Sequence, residues 1–229
     1  GAYVAQGTKV VHLDAAGKID PAFAYSVPGG VTAMVLGNGL LYLATGASDT
    51  GAIRAVRTGT GVESGFRVSV QGFVKGLSLA GGTLVIGGEF LAVAEQPRAS
   101  LAAVDADTAA LLPWNPNPTA VRRVPASIQT VSAVGDLVYV AGYFDSIGGE
   151  ARGGLAAVSL GSARATPWNP ARDTDNLPQI LAVMPSADGV FVAGSFGTMG
   201  GAARACVALL DATTGLALPW DAGISFPCT

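Results

Sequence analysis

The chain has 229 residues, of which half are hydrophobic, 13% are charged and 32 are glycine, with a formal net charge of −3. Charge at about half the usual level excludes a disordered polyelectrolyte, and an acidic pI near 5.0 leaves no basic footprint for nucleic acid. No apolar run reaches the roughly 18 residues of a membrane-spanning helix, so no membrane insertion is expected.

From the first residue onward, short segments of alternating apolar character are bounded by Gly, Pro, Asn and Asp, the pattern of strands. The chain opens on Gly1 with no basic stretch leading into an apolar one, so no signal peptide is expected and the chain reads as a piece of something longer. The first strand candidates are YVAQG (3–7), VVHLD (10–14) and IDPAF (19–23). Next come VTAMVL (31–36), LLYLATG (40–46), IRAVR (53–57) and ESGF (63–66). The pattern then sharpens into FVKGLSL (73–79), TLVIGGEF (83–90), SLAAVD (100–105) and LPWNP (112–116). It recurs as IQTVSAV (128–134), LVYVAGYF (137–144), GLAAVS (154–159) and TPWNP (166–170). It recurs again as ILAVM (180–184), VFVAGSF (190–196), CVALLD (206–211) and LPWDA (218–222). Gly37-Asn38-Gly39, Gly81-Gly82, Gly135-Asp136 and Asp188-Gly189 are hairpin turns, since Gly and Asn tolerate positive φ.

Gly88, Gly142 and Gly194 are spaced 54 and 52 residues apart, and so are Trp114, Trp168 and Trp220. Arg98, Arg152 and Arg204 each fall eight residues past the Phe that ends the Gly-rich strand. The shared register defines five units, 1–30, 31–72, 73–125, 126–178 and 179–229, the first two with shorter connections. A four-stranded antiparallel sheet at this period, with no capped amphipathic helix, predicts an all-β fold of one domain, a β-propeller of four-stranded antiparallel blades in about five repeats. The first unit lacks its innermost strand. Either GISFPCT (223–229) supplies it and closes a five-bladed ring, the favoured expectation, or the chain is an arc of a six- to eight-bladed propeller.

The Gly-rich strand ending in Phe, the Arg, the LAAVD run and Pro-Trp-Asn-Pro together resemble the delta-sixty repeat family of bacterial β-propellers, strongly in residues 80–222 and weakly in 1–66. Repeats four and five carry Gly148-Gly149 and Gly200-Gly201 where repeat three has Ala94-Glu95. The resemblance implies an extracellular or cell-surface bacterial protein and no shared catalytic residues.

His12 is the single histidine and lacks the neighbours of a catalytic triad; with two cysteines 22 residues apart, a zinc site is not expected. Propeller glycosidases need paired acids at a central pocket, yet the predicted innermost strands hold no Asp or Glu, only Lys75 and Gln129 as long polar residues. No cofactor is expected. Asp173 and Asp175 are weak candidates for calcium, and Asp105 and Asp107 form a second acidic turn. Trp114, Trp168 and Trp220 read as packing between blades or as aromatic platforms for a sugar. Arg98, Arg152 and Arg204 read as ties to carbonyls at blade ends or as anion sites, and Arg122-Arg123 as a solvated pair. Cys206 and Cys228 are either bridged or free, with Cys206 then a small buried hydrophobe.

The leading functional expectation is a non-catalytic extracellular scaffold or recognition and adhesion module. Its protein or glycan ligand would sit on the loops, 115–127 and 169–178 above all, because packing consumes the blades. The alternatives are a carbohydrate-binding lectin-type propeller and a glycan-acting hydrolase or lyase. An open ring would add self-association.

Overall fold

Val, Leu, Ile and Tyr alternate with Gly, Ala and Ser, and a period of two on a pleated backbone gives each strand two opposed faces. In the computed structural model, which describes residues 1–47, 50–121, 125–170, 179–225 and 228, all regular structure among those residues is antiparallel strand. Repeat one holds β1 (Ala2–Gln6), β2 (Lys9–Leu13) and β3 (Ile19–Ser26). Repeat two holds β4 (Val31–Gly37), β5 (Leu40–Ala47), β6 (Thr50–Arg57) and the first part of β7 (Glu63–Ala80). β7 runs on into repeat three and pairs there with β8 (Thr83–Val93), which is followed by β9 (Gln96–Pro97) and β10 (Leu101–Asp105). Repeat four holds β11 (Ser127–Val134), β12 (Leu137–Tyr143), the small hairpin β13 (Ser146–Ile147) and β14 (Glu150–Ala151), and β15 (Leu155–Ser159). Repeat five holds β16 (Gln179–Ser186), β17 (Gly189–Ser195), β18 (Thr198–Met199), β19 (Ala202–Ala203) and β20 (Val207–Leu210).

Three features depart from the sequence expectation. The boundary at 72/73 falls inside an unbroken strand, so repeats two and three share one seven-stranded sheet. The chain bends there at Gly72, whose φ of 127° and close approach to the Glu89 carbonyl exclude a side chain. The fourth strand is full in repeats one and two but shrinks to single bridges in the others: Val104↔Leu111, Val158↔Ala165 and Leu210↔Ala217. Pro113, Pro167 and Pro219 lack the N–H a ladder needs, so pairing stops two residues past each bridge. The third departure is that the described sheets form an open arc. Among the described residues β1 pairs with β2 alone and residues 221–225 form no strand, so no described part of the tail stands as the missing inner strand.

Each of the four inner strands carries a bulge at one place: Val31/Ala33, Val74/Gly76, Ile128/Thr130 and Ile180/Ala182. The extra residues are Thr32, Lys75, Gln129 and Leu181. Opposite the bulge stand the repeated glycines. A Cβ on Gly88 or Gly142 would run into the Phe73 or Ser127 carbonyl, so the landmark glycine makes room for the bulged strand.

Blades pack through two faces, and one aromatic pair recurs. Tyr3–Phe23, Tyr42–Phe66, Tyr139–Trp168 and Phe191–Trp220 meet edge to face with centroids 5.0, 5.2, 5.2 and 5.4 Å apart. From this pair, or in repeat three from Trp114 alone, a polar hydrogen reaches the end of strand three in the next blade. Tyr3 Oη donates to Thr58 O (2.7 Å), Tyr42 Oη to Ala106 O (3.0 Å), Trp114 Nε1 to Ser159 O (2.8 Å) and Trp168 Nε1 to Asp211 O (3.0 Å).

Repeat one is also clasped to repeat two by Tyr25, whose hydroxyl donates to Glu63 Oε1 at 2.7 Å, while Arg54 Nη1 donates to the same oxygen at 3.0 Å. Burial first, and then the Glu63 carboxylate, push the Tyr25 phenol up to about 12. The hydrogen bonds from Tyr25 and then Arg54 hold Glu63 below its ordinary value of 4.5. A raised phenol contributes stability that is complete below its ordinary value of 10.0 and is lost as pH climbs toward about 12. A lowered carboxyl contributes stability above its ordinary value, lost as pH falls through the folded one. The melting temperature is therefore expected to drop at both extremes, and Tyr25→Phe to flatten the alkaline limb in circular-dichroism melts taken across that range.

Candidate functional site

The repeated arginines act alike. Arg98, Arg152 and Arg204 each donate Nη1 to the carbonyl of the preceding residue, Pro97, Ala151 or Ala203, at 2.8, 2.7 and 2.8 Å. Each donates Nη2 to a carbonyl 14 residues on, Leu112, Thr166 or Leu218. The guanidinium thus ties its own segment to the carbonyl just ahead of Pro113, Pro167 or Pro219, and its fork is directed at backbone. Glu150 lies 4.0 Å from Arg152 and Asp221 3.8 Å from Arg204, adding weak ion pairs.

Trp114 and Trp168 are 6% and 1% exposed, so they present no face to a ligand; Trp220, at 41%, does. Cys206 and Cys228 form a disulfide with Cα atoms 5.6 Å apart. Cys206 occupies the left-handed position held by Ser100 and Gly154 in the preceding repeats, with φ of 68°, 61° and 74°. Ser100 Oγ donates to the Ala126 carbonyl, just ahead of β11, so the disulfide fixes the tail near where a following inner strand would start. Asp105 accepts from the Thr108 hydroxyl and amide and from the Asp107 amide, Asp211 from Thr214 and Thr213, and these donors lower both carboxyls. Turn geometry therefore engages these acids. His12 stacks on Tyr3 at 4.7 Å and pairs with Asp20 at 3.0 Å. Asp173, Asp175, Arg122 and Arg123 lie outside the described residues, and among the described residues no group of three metal-ligating side chains occurs.

Strand two ends, strand three starts and the next inner strand begins at one end of the blades, because successive strands run antiparallel. At this end, between repeats three and four, the bulged Lys75 crosses to its neighbour. Its Nζ lies 3.1 Å from Glu89 Oε2 and 3.0 Å from Ser127 Oγ, and Gln129 Nε2 donates to the same Ser127 oxygen at 2.9 Å. Ser127 is fully buried, whereas Lys75 and Glu89 keep 30% and 27% of their side chains open to water. Beside them lies a groove of about 410 Å³ lined by Gln71, Phe73, Glu89, Leu91 and Pro125. Phe73 and Leu91 are exposed in it. An apolar floor beside a few oriented polar groups is what a binding site needs. Lys75 keeps a donor to spare and Gln129 an amide oxygen. The chemistry offered is recognition: Ser127 is too buried to attack a substrate, and Lys75 is engaged by a carboxylate.

Lys75 and Gln129 were visible in the sequence as polar residues on inner strands. Glu89, Phe73 and Leu91 were not singled out. The available signal was Glu89, one of four glutamates in the chain, standing where Tyr143 and Ser195 stand in the next repeats.

Antiparallel sheets packed face to face with one recurring seam, and no helix among the described residues, define an all-β propeller arc. No family model and no curated protein matches the sequence. Solved propeller-like structures do match. A chain of the mitotic checkpoint complex matches with a TM-score of 0.61 at 12% identity, over 97% of this chain and 61% of that one. The Neurospora crassa Pan2 WD40 domain matches at 0.59 and 9% identity, over 94% and 60%. The extracellular domain of a one component system from B. thetaiotaomicron matches at 0.57 and 13%, over 93% and 28%. At such identities the likeness shows the fold, and this chain is shorter than each of these three.

Proposed function

We propose that the chain is a non-catalytic extracellular module of the delta-sixty repeat type, a scaffold and recognition surface in a bacterial surface or secreted protein. The observation that carries the reading is the groove at the loop end, where exposed Phe73 and Leu91 adjoin the Lys75–Glu89–Gln129 network. Elsewhere the repeated Trp and Arg side chains of the inner seams are spent on packing and carbonyl ties. Two facts support the location: the Cys206–Cys228 disulfide belongs to oxidising compartments, and one fold neighbour is a bacterial extracellular domain. Phe73, 40% exposed beside hydrogen-bonding groups, also favours a glycan ligand as a second reading.

Screening the purified chain on a glycan array and a peptide library tests both readings. Phe73→Ala is expected to weaken the bound ligand at least tenfold, about 1.4 kcal/mol, at an unchanged melting temperature. A ligand indifferent to both Phe73→Ala and Leu91→Ala sinks the groove as the site.

A further inference from the structure

On one side of β7 and β8, Val70, Val74, Phe90 and Val93 are buried in the seam between repeats two and three. Alternation along the strand puts Ser69, Gln71 and Phe73 of β7 on the other face, and all three are exposed. In register with them stand Ala92, opposite Gln71, and Glu89, opposite Phe73. Gln71 lines the groove that holds Phe73, Glu89 and Leu91. It also lines a second groove of about 380 Å³, formed with Thr50, Ser69, Ala92 and Glu95. One surface therefore follows β7 from Phe73 to Ser69, about 13 Å of strand.

Glu95 enters the second groove from the turn between β8 and β9. Ala94 and Glu95 hold φ of 48° and 62° there, where repeats four and five use Gly148-Gly149 and Gly200-Gly201. Glycine adopts this left-handed turn at less cost. Repeat three thus carries an exposed carboxylate where the fold asks for glycine.

The floor of the two grooves selects the kind of ligand. β7 is paired on both edges, Val70 with Gly51 and with Val93, and β9 covers β8 through Ala92↔Pro97 and Val93↔Gln96. An extended peptide finds no open ladder to join, so recognition falls to side chains. Lys75 and Glu89 form an ion pair that cancels, and Glu95 adds a negative charge, which disfavours an anionic ligand. A sugar ring matches what remains. Its apolar face suits Phe73 and Leu91, and its hydroxyls, which both donate and accept, suit Gln71, Gln129, Ser69 and Glu95. The surface is longer than one such ring.

We propose that the ligand of this surface is a linear, uncharged oligosaccharide, with one ring stacked on Phe73 and a further part held in the second groove by Ser69, Gln71 and Glu95. The inference rests on the recognition reading of the first groove and adds to it a ligand class and a second subsite.

Calorimetric titration of the 229-residue chain with cello-, xylo- and chito-oligosaccharides, from disaccharide to hexasaccharide, tests it. At least one series is expected to bind, the hexasaccharide about tenfold or more tighter than the disaccharide, because the longer chain reaches both grooves. Oligogalacturonates of the same lengths, which carry carboxylates, are expected to bind more weakly. Phe73→Ala is expected to weaken every length. Glu95→Gly, which installs the residue of the later repeats, is expected to erase the advantage of the hexasaccharide, leave the disaccharide unchanged and keep or raise the melting temperature. No binding of any neutral series, affinity independent of length, Glu95→Gly without effect at every length, or tighter binding of the oligogalacturonates overturns the inference. A peptide captured in place of these sugars, and dependent on Phe73 and Leu91, overturns it while leaving the recognition reading standing; only ligands indifferent to both of those residues strike that reading.

Discussion

Trp168→Ala is expected to lower the unfolding free energy by about 3–5 kcal/mol, and Trp220→Ala by no more than about 1 kcal/mol. The two residues hold one position in successive repeats and meet the same aromatic partner position, at 5.2 and 5.4 Å. They differ in what lies on the other side. Trp168 fills the seam between repeats four and five and is 1% exposed; its removal leaves a cavity and leaves the Asp211 carbonyl short of one donor. Among the described residues no blade covers the outer face of Trp220, which is 41% exposed. Urea titration of the two variants separates position in the fold from position in the repeat. Equal losses would show that the indole works within its own blade, and the seam would lose its central element.

Reduction of the Cys206–Cys228 disulfide is expected to cost about 3 kcal/mol, the loop-closure value for a ring of roughly 20 residues. The bond closes 22 residues, and it anchors a tail that forms no strand among the described residues. The effect should be local. Repeat five packs on repeat four through one face only, so its opening need not involve repeats two and three. Hydrogen exchange of the Cys206→Ala/Cys228→Ala variant is expected to show faster exchange in β16, β17 and β20 and unchanged protection in β5–β8. Uniform loss of protection along the chain would mean that the arc unfolds as a single unit.

Much of the fold was legible because close packing imposes one residue type at one place. Gly88 and Gly142 stand where a bulge brings a carbonyl too near for a Cβ, so the spacing of glycines marked the blades. Arg98, Arg152 and Arg204 recur because each ties two backbone carbonyls, one of them just ahead of a proline. The continuity of β7 was hidden because a glycine bend and a glycine turn look alike in sequence. Ring against arc was undecidable for a similar reason. The inner faces of terminal and central blades have the same apolar alternation, and only the neighbour's presence distinguishes them. The groove was the least visible element. Glu89 and Phe73 depart from the repeat, and a departure has no second copy to confirm it.

β7 has a mechanical consequence. Its 18 residues pass from the outer edge of repeat two to the inner edge of repeat three with no connecting loop. Those two blades cannot swivel about a hinge; parting them means tearing a ladder rather than swinging a tether. A pull along the chain would part the neighbouring repeats before these two, which would yield last as one stiff beam.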